Sequence, residues 1–225
     1  MQERLFHALR ALKHHSGWII WNLFLAFIPL ALSVWLFRSP SRSRSILWWV
    51  AFLVFIAFLP NAPYLLTDIK HLIGAIRADY SIWIVVLVIL PPHLIAIFAG
   101  FEAYVVSLIN LGYYLHRNNA SKFIVPAELM THALCAIGVY LGRFKRFNSW
   151  DFVTQPDDLA RSVLDDLTSK RPLLVIALTF AILTILYWLM KQVTLSLLLR
   201  MRHKSSGRSA SEQTTKTNTD TSTTL

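Results

Sequence analysis

The apolar residues of this chain lie in unbroken blocks, and this feature limits the fold more than any other. The blocks begin near Trp18, Ile46, Ile82, Phe123 and Pro172. Most are close to the roughly 20 residues with which a helix crosses ~30 Å of hydrocarbon. Only helices and closed barrels satisfy their own backbone hydrogen bonds in lipid, and these blocks lack the alternation of barrel strands. The sequence therefore predicts an all-α, polytopic helical membrane protein.

Composition and charge support this class. Only 15% of the residues are charged, whereas a soluble domain carries about 25%. The net charge is +10, and basic residues cluster beside the apolar blocks in RSPSRSR (Arg38–Arg44) and RMRHK (Arg200–Lys204). There they would meet anionic lipid headgroups. No aromatic-interleaved basic groove accompanies them, so the sequence favours anionic membrane lipids as partners and argues against nucleic acid.

The block Ile82–Leu115 leaves the number of spans open. As one helix its residues would extend about 50 Å at 1.5 Å per residue, too long for one straight span and short for two. Pro91-Pro92 could kink a single helix, or Gly100 could mark a hairpin. We favour the single kinked helix, and therefore five spans over six. The other spans are predicted at about Trp18–Phe37, Ile46–Leu59, Phe123–Gly142 and Pro172–Leu199.

Composition divides the chain into an interfacial leader (1–17), a single transmembrane domain (18–199) and a disordered polar tail (200–225). Apolar residues at helical spacing predict an amphipathic interfacial helix in the leader. Further interfacial helices are predicted for TDIKHLIGAIRADY, with Thr67 as N-cap, and for QPDDLARSVLDDL, with Pro156 in the first turn. The tail is rich in Ser and Thr and has almost nothing to bury.

The first polar motif is FLPNAPYLLTDIKHL (Phe58–Leu72), directly after an apolar block. Pro60 cannot continue a helix without a break. Asp68 and His71 are three residues apart on a predicted helix, so they share a neighbouring face. They could form an acid–base pair or supply two metal ligands. The second role is weak, because neither polar motif pairs another His with a carboxylate at useful spacing.

The second polar motif is GVYLGRFKRFNSWD (Gly138–Asp151). Arg143 and Arg146 could clamp a phosphate or carboxylate, since guanidinium groups present planar forks of donors. In a structural alternative, the arginines bind headgroups or pair with Asp68 and Asp151, and the motif's polar residues cap helices. The sequence leaves both roles open.

Together the two motifs resemble an uncharacterised bacterial integral membrane family, domain of unknown function 1361. The resemblance covers roughly Trp18–Leu189 and implies a membrane fold without a reaction. Lys145 stands where the family more often has an apolar residue, and Phe147 where it often has Trp. The matching residues are Asn61, Pro63, Tyr64, Thr67, Asp68, His71, Tyr140, Gly142, Arg143, Phe144, Arg146, Asn148, Ser149, Trp150 and Asp151.

The number of spans decides whether the motifs can form a joint site. With five spans both motifs follow even-numbered spans and emerge on one side of the membrane; with six they lie on opposite sides. A joint site would gather the polar residues Asn61, Asp68, His71, Arg143, Arg146, Asn148 and Asp151.

Ionisable residues also occur inside the predicted spans. His93 and Glu102 lie in the long block, and Glu128 and His132 share a face of the fourth span. Charges in lipid are costly, so such groups usually face the bundle interior and find partners. They could be neutral, hydrogen-bonded packing groups or part of a proton or ion path.

Signatures of catalysis and of cofactor binding are absent from the sequence. There is no Gly-rich phosphate loop, no His-Glu-x-x-His and no Gly-x-Ser-x-Gly. Cys135 is the only cysteine, with no zinc-ligand spacing around it. No metal and no cofactor is therefore predicted, and enzymatic activity is left open.

These observations favour a non-enzymatic, multi-pass membrane component, and the family resemblance implies a bacterial plasma (inner) membrane. The first alternative is a membrane enzyme or binder for an anionic lipid-linked or phosphate-bearing substrate. The second is a small channel or transporter subunit that uses Glu102, Glu128 and His132. Further copies of the chain or other membrane proteins are candidate partners. Lys and Arg are balanced between the two sides, so they do not orient the chain.

Labelling of introduced cysteines tests the topology. With Cys135 replaced, cysteines at Lys70 and Arg146 should react with an impermeant maleimide from the same side of the membrane, because the chain crosses twice between them. Labelling from opposite sides would contradict five spans and exclude a joint site.

Overall fold

Five long apolar helices dominate the described part of the chain in a computed structural model. The structure describes residues 2–39, 44–68, 73–74, 77, 81–147 and 151–222. The chain divides into two compact units, Met1–Leu186 and Tyr187–Leu225, which are described separately. All five helices are long and apolar enough to cross a membrane. The predicted all-α, polytopic helical class is therefore confirmed.

The helices follow the apolar blocks. The first half contains α1 (Gln2–Ser33) with a π-helical turn (Val34–Arg38), α2 (Ile46–Phe58), and the short α3 (Asn61–Tyr64) with a 3₁₀ turn (Leu65–Asp68). The second half contains α4 (Ile82–Arg117), α5 (Ile124–Tyr140) with a π-helical turn (Leu141–Lys145), α6 (Asp151–Thr154), α7 (Pro156–Thr168) and α8 (Lys170–Ser222).

The long block forms one helix, α4, as predicted. A π-helical turn at Val85–Ile89 precedes its main part, Leu90–Arg117. The turn lies just before Pro91 and Pro92, which lack the N–H groups that α-helical bonding requires. Wider π spacing accommodates such a local break without ending the helix.

Helix α4 packs against α1, α3, the 3₁₀ turn and α5. Two glycines allow the segment Pro60–Leu65 to approach α4 and α5 closely. A Cβ on Gly138 of α5 would lie 2.7 Å from both Cβ and Cγ of Pro60. A Cβ on Gly100 of α4 would overlap Leu65 Cδ1 and lie 3.4 Å from the Ala62 carbonyl oxygen. Gly100 is therefore a packing position inside a continuous helix, and the hairpin alternative is wrong.

The leader and the tail are both helical where the structure describes them. Helix α1 runs without a break from Gln2 through the leader, and α8 continues through the polar tail to Ser222. The sequence predicted a disordered tail, because the segment is polar, rich in Ser and Thr, and has almost nothing to bury. The interfacial position of the leader and the disorder of the tail in solution stay predictions.

The structure describes one of the two other predicted interfacial helices in full and the other only in part. Helix α7 begins at Pro156, with Asp157 and Asp158 in its first turn, as predicted. The predicted helix after the second span lies mostly outside the described residues. Thr67 lies inside the 3₁₀ turn and donates from Oγ1 to the Tyr64 carbonyl over 2.7 Å; its role as N-cap of that helix stays a prediction.

Substitution of Gly138 by Ala tests the close approach. The added methyl would meet the rigid Pro60 ring, so we expect a loss of about 1–3 kcal/mol in the free energy of unfolding. Unfolding in detergent, followed by circular dichroism, measures this loss. Gly112→Ala is the matched control, because its Cβ would lie an ordinary 3.6 Å from Ile124. Equal stability of the two variants would contradict the packing.

Candidate functional site

Arg143 joins the two polar motifs at one end of the bundle. It lies in the π-helical turn that follows α5. Its Nη1 donates to the Tyr64 hydroxyl over 3.3 Å, and its Nη2 donates to the Thr67 carbonyl. The guanidinium carbon also lies 5.3 Å from the centroid of the Tyr64 ring. The second motif therefore contacts the first through one half-buried cation.

Local geometry explains why Tyr64 is available to Arg143. A Cβ on Gly142 would lie 3.4 Å from Tyr64 Cε2, so the missing side chain leaves room for the ring. Asn61 Nδ2 donates to the Phe58 carbonyl over 2.9 Å, which supports the turn after α2. The carbonyl of Thr67 lies in the last turn of the 3₁₀ segment, where partial negative charge favours a cation.

Arg146 has a different environment from Arg143. It occupies the left-handed region, with φ 61°, at the C-cap of the π-helical turn, and its side chain is exposed. Its backbone N–H donates to the Leu141 carbonyl. The sequence paired these two arginines as a possible clamp, but their environments differ. Arg143 is half-buried and bonded to protein groups, whereas Arg146 is exposed where the chain leaves the helix.

Asp151 starts the helix that follows the second motif. It is buried, and its Oδ1 accepts a hydrogen bond from Thr154 Oγ1 over 3.3 Å. Its backbone carbonyl accepts from the Gln155 N–H over 2.9 Å. The predicted capping by Asp151 and its pairing with an arginine stay predictions.

Several predicted site residues cannot be placed. His71, Asn148, Ser149 and Trp150 lie outside the described residues, and only the backbone of Asp68 is described, at the end of the 3₁₀ turn. The predicted contact of Asp68 and His71 with the arginines therefore stays a prediction.

An ion pair that the sequence analysis missed links the second motif to α7. Lys145 Nζ lies 3.2 Å from Asp166 Oδ1, and Asp166 is buried. Asp166 shares a buried face of α7 with Leu159. The sequence signal for this ion pair was the position of Asp166, a carboxylate at helical spacing from the apolar residues of α7. A buried carboxylate requires a partner.

The intramembrane ionisable residues belong to the contact between α4 and α5. The Tyr104 hydroxyl lies 2.5 Å from His132 Nδ1, and both side chains are buried. Glu128 is also buried, whereas Glu102 is half-buried. The hydrogen bond of His132 crosses between helices, and the predicted pairing of Glu128 with His132 stays a prediction. The signal missed for Tyr104 was a hydroxyl inside a long apolar block.

His93 is a further ionisable residue inside the spans, on α4. His93 is buried, with Nδ1 2.7 Å from the Ile89 carbonyl oxygen in the preceding turn. Within the part of the chain that the structure describes, no group of three His, Cys, Asp or Glu side chains could hold a metal ion.

Five spanning helices with polar motifs at their ends define a multi-pass integral membrane protein. The model of the family described as Protein of unknown function (DUF1361) matches residues 21–185, and the chain belongs to this family. The match contains both polar motifs, which confirms the resemblance that they carry. No curated protein and no solved structure matches the chain.

Substitution of Tyr104 by Phe tests the bond between α4 and α5. Loss of the hydroxyl at His132 should lower the free energy of unfolding by about 0.6–1.7 kcal/mol, as for other interhelical hydrogen bonds in membranes. Unfolding of the protein in mixed micelles measures this loss. Tyr113→Phe is the control, because Tyr113 is exposed on the same helix, and it should leave the free energy of unfolding unchanged. If Tyr113→Phe lowers stability as much as Tyr104→Phe does, the hydrogen bond to His132 has no special role.

Proposed function

We propose that the protein is a non-enzymatic, multi-pass component of a bacterial plasma membrane, whose polar motifs bind helix ends to one another at one membrane face. The observation that carries this proposal is the set of partners around Arg143. Its guanidinium donates to the Tyr64 hydroxyl and to the Thr67 carbonyl, and it lies against the Tyr64 ring. These contacts fasten α5 to the turn after α2.

The engagement of Arg143 favours this role over an anion clamp. A bidentate clamp needs two parallel N–H donors on one edge of the fork to face the ligand. Here both Nη nitrogens already donate to groups of the protein. These internal bonds fix the direction of the guanidinium toward Tyr64 and Thr67, which suits a structural anchor.

The buried groups of the spans fit the same proposal. The Tyr104–His132 hydrogen bond lies at a helix–helix contact, where polar side chains hold membrane helices together. This arrangement supports packing by His132 better than the use of Glu102, Glu128 and His132 for transport. A retained proton or ion flux on Glu102→Gln would further oppose the channel hypothesis.

Anionic lipids are the partners that we propose for the exposed basic residues. Arg146 is exposed directly after the fourth candidate span, which ends at Lys145, and residues that flank a span are expected near the headgroups. A flexible contact with headgroups needs no rigid pocket, since each basic residue near an anionic surface contributes about 1 kcal/mol.

Variants of Arg143 test the anchoring role. Arg143→Gln should lower the free energy of unfolding in lipid nanodiscs by about 1.5–3 kcal/mol, because hydrogen bonds to a charged group are lost. Arg143→Lys should recover only part of this loss, since Lys lacks the planar fork. Thermal unfolding, followed by circular dichroism, measures both effects.

Arg146→Asn is the matched control. It removes a charge from the same turn, while Asn tolerates the left-handed backbone there, so we expect stability close to that of the unmodified chain. The anchoring role is refuted if Arg143→Gln is equally stable and differs only in that added phosphate no longer raises the melting temperature.

A further inference from the structure

Three arginines from three helix ends meet over two tyrosines at the membrane face opposite the polar motifs. The Arg38 guanidinium carbon lies 4.6 Å from the centroid of the Tyr113 ring. That of Arg117 lies 5.9 Å from the rings of both Tyr113 and Tyr114. That of Arg44 lies 5.8 Å from the Tyr114 ring. We call these five residues the arginine–tyrosine cluster.

Buried polar groups hold Arg38 in place. Its Nε donates to Asn110 Oδ1 over 2.7 Å, and Asn110 Nδ2 donates to Ser33 Oγ over 2.9 Å. Ser33 Oγ donates in turn to the Leu30 carbonyl over 2.7 Å. Asn110 and Ser33 are 2% and 0% exposed, so a rigid network inside the bundle orients an exposed cation at its surface.

The other two arginines are also held at one nitrogen. Arg44 Nε donates to the Tyr114 hydroxyl over 3.0 Å, and Arg117 Nη2 donates to the Ser39 carbonyl over 2.8 Å. Among the described residues, Arg38 and Arg44 form hydrogen bonds through Nε alone. Their Nη nitrogens form the edge of the guanidinium with which arginines bind phosphate oxygens.

The cluster lacks a carboxylate to balance its charge. No Asp or Glu occurs in residues 18–67 or 103–127, which contain all the helix ends at this face of the first unit. Arg38 and Arg117 end their helices, where the dipole offsets positive charge. Arg44 directly precedes the N-cap of α2, Ser45, where the dipole adds to it. Within these segments of the first unit, the charge of the cluster is therefore not balanced by a carboxylate, and an anion would balance it.

We propose that the arginine–tyrosine cluster binds an anionic phosphate group. Arginine forks match phosphate oxygens in geometry and charge, and the helix N-terminus beside Arg44 also favours an anion. The nearest source at a membrane surface is the headgroup of an anionic phospholipid, and a soluble phosphate shares the same chemistry. This site is separate from the motifs that anchor the opposite face.

Binding to the full chain in nanodiscs tests the proposal. In one arm the nanodiscs contain phosphatidylglycerol in phosphatidylcholine, and the lipid retained by the released protein is measured by native mass spectrometry. In the other arm the nanodiscs contain phosphatidylcholine alone, and the shift in melting temperature with inorganic phosphate is measured. Binding in the first arm alone assigns a lipid ligand, and binding in the second assigns a soluble one.

Two variants separate a built site from general surface attraction. Arg44→Gln with Arg117→Gln should weaken binding at least about tenfold, because each lost charged hydrogen bond exceeds the 1.4 kcal/mol that corresponds to a factor of ten. Lys122→Gln removes a charge from the same face, where Lys122 lies 5.1 Å from the Phe123 ring outside the cluster. It should change binding by less than about twofold if attraction is local to the cluster.

Arg44→Lys keeps the charge and removes the fork, so it provides a result even if the double variant fails to fold. It should weaken binding several-fold with only a small change in the melting temperature without ligand, since the hydrogen bond from Arg44 to Tyr114 is exposed. The proposal is overturned if Arg44→Lys binds as well as the unmodified chain, if Lys122→Gln weakens binding as much as the double variant, or if neither probe binds the unmodified chain.

Discussion

The close approach of the segment Pro60–Leu65 to α4 and α5 is the contact on which the first unit depends. Lipid offers little hydrophobic drive for helices to associate, so packing relies on small residues that let backbones come near one another. Gly100 and Gly138 provide that space for Leu65 and Pro60. With the turn seated there, Tyr64 and Thr67 lie beside Arg143. The joining of the two polar motifs is thus a consequence of glycine packing.

π-helical turns lie near the ends of three of the spans. They occupy the end of α1, the start of α4 and the end of α5. Each adds a residue to a turn, which changes the register of the side chains beyond it. The first ends at Arg38, and the last contains Arg143. Arg38 and Arg143, one from each proposal, therefore belong to segments where regular helical spacing is interrupted.

The basic residues at the two ends of the first unit have different partners. At the end with the polar motifs, Arg143 donates to oxygens of the chain and Lys145 pairs with buried Asp166. At the other end, Arg38 and Arg44 lie over aromatic rings, and the surrounding segments contain no carboxylate. Internal partners suit an anchor, whereas a positive cluster without a counterion suits a ligand. Anchoring is therefore proposed for one face and anion binding for the other.

The sequence by itself determined the class, the five spans and the family, because apolar block length and the two motifs are local properties. It also predicted that both motifs lie on one side of the membrane, since both follow even-numbered spans when there are five. It could not show that Arg143 binds Tyr64 and Thr67, that Lys145 pairs with Asp166, or that arginines meet over Tyr113 and Tyr114. These contacts join residues far apart in the chain, so they depend on how the helices pack and only the tertiary structure decided them.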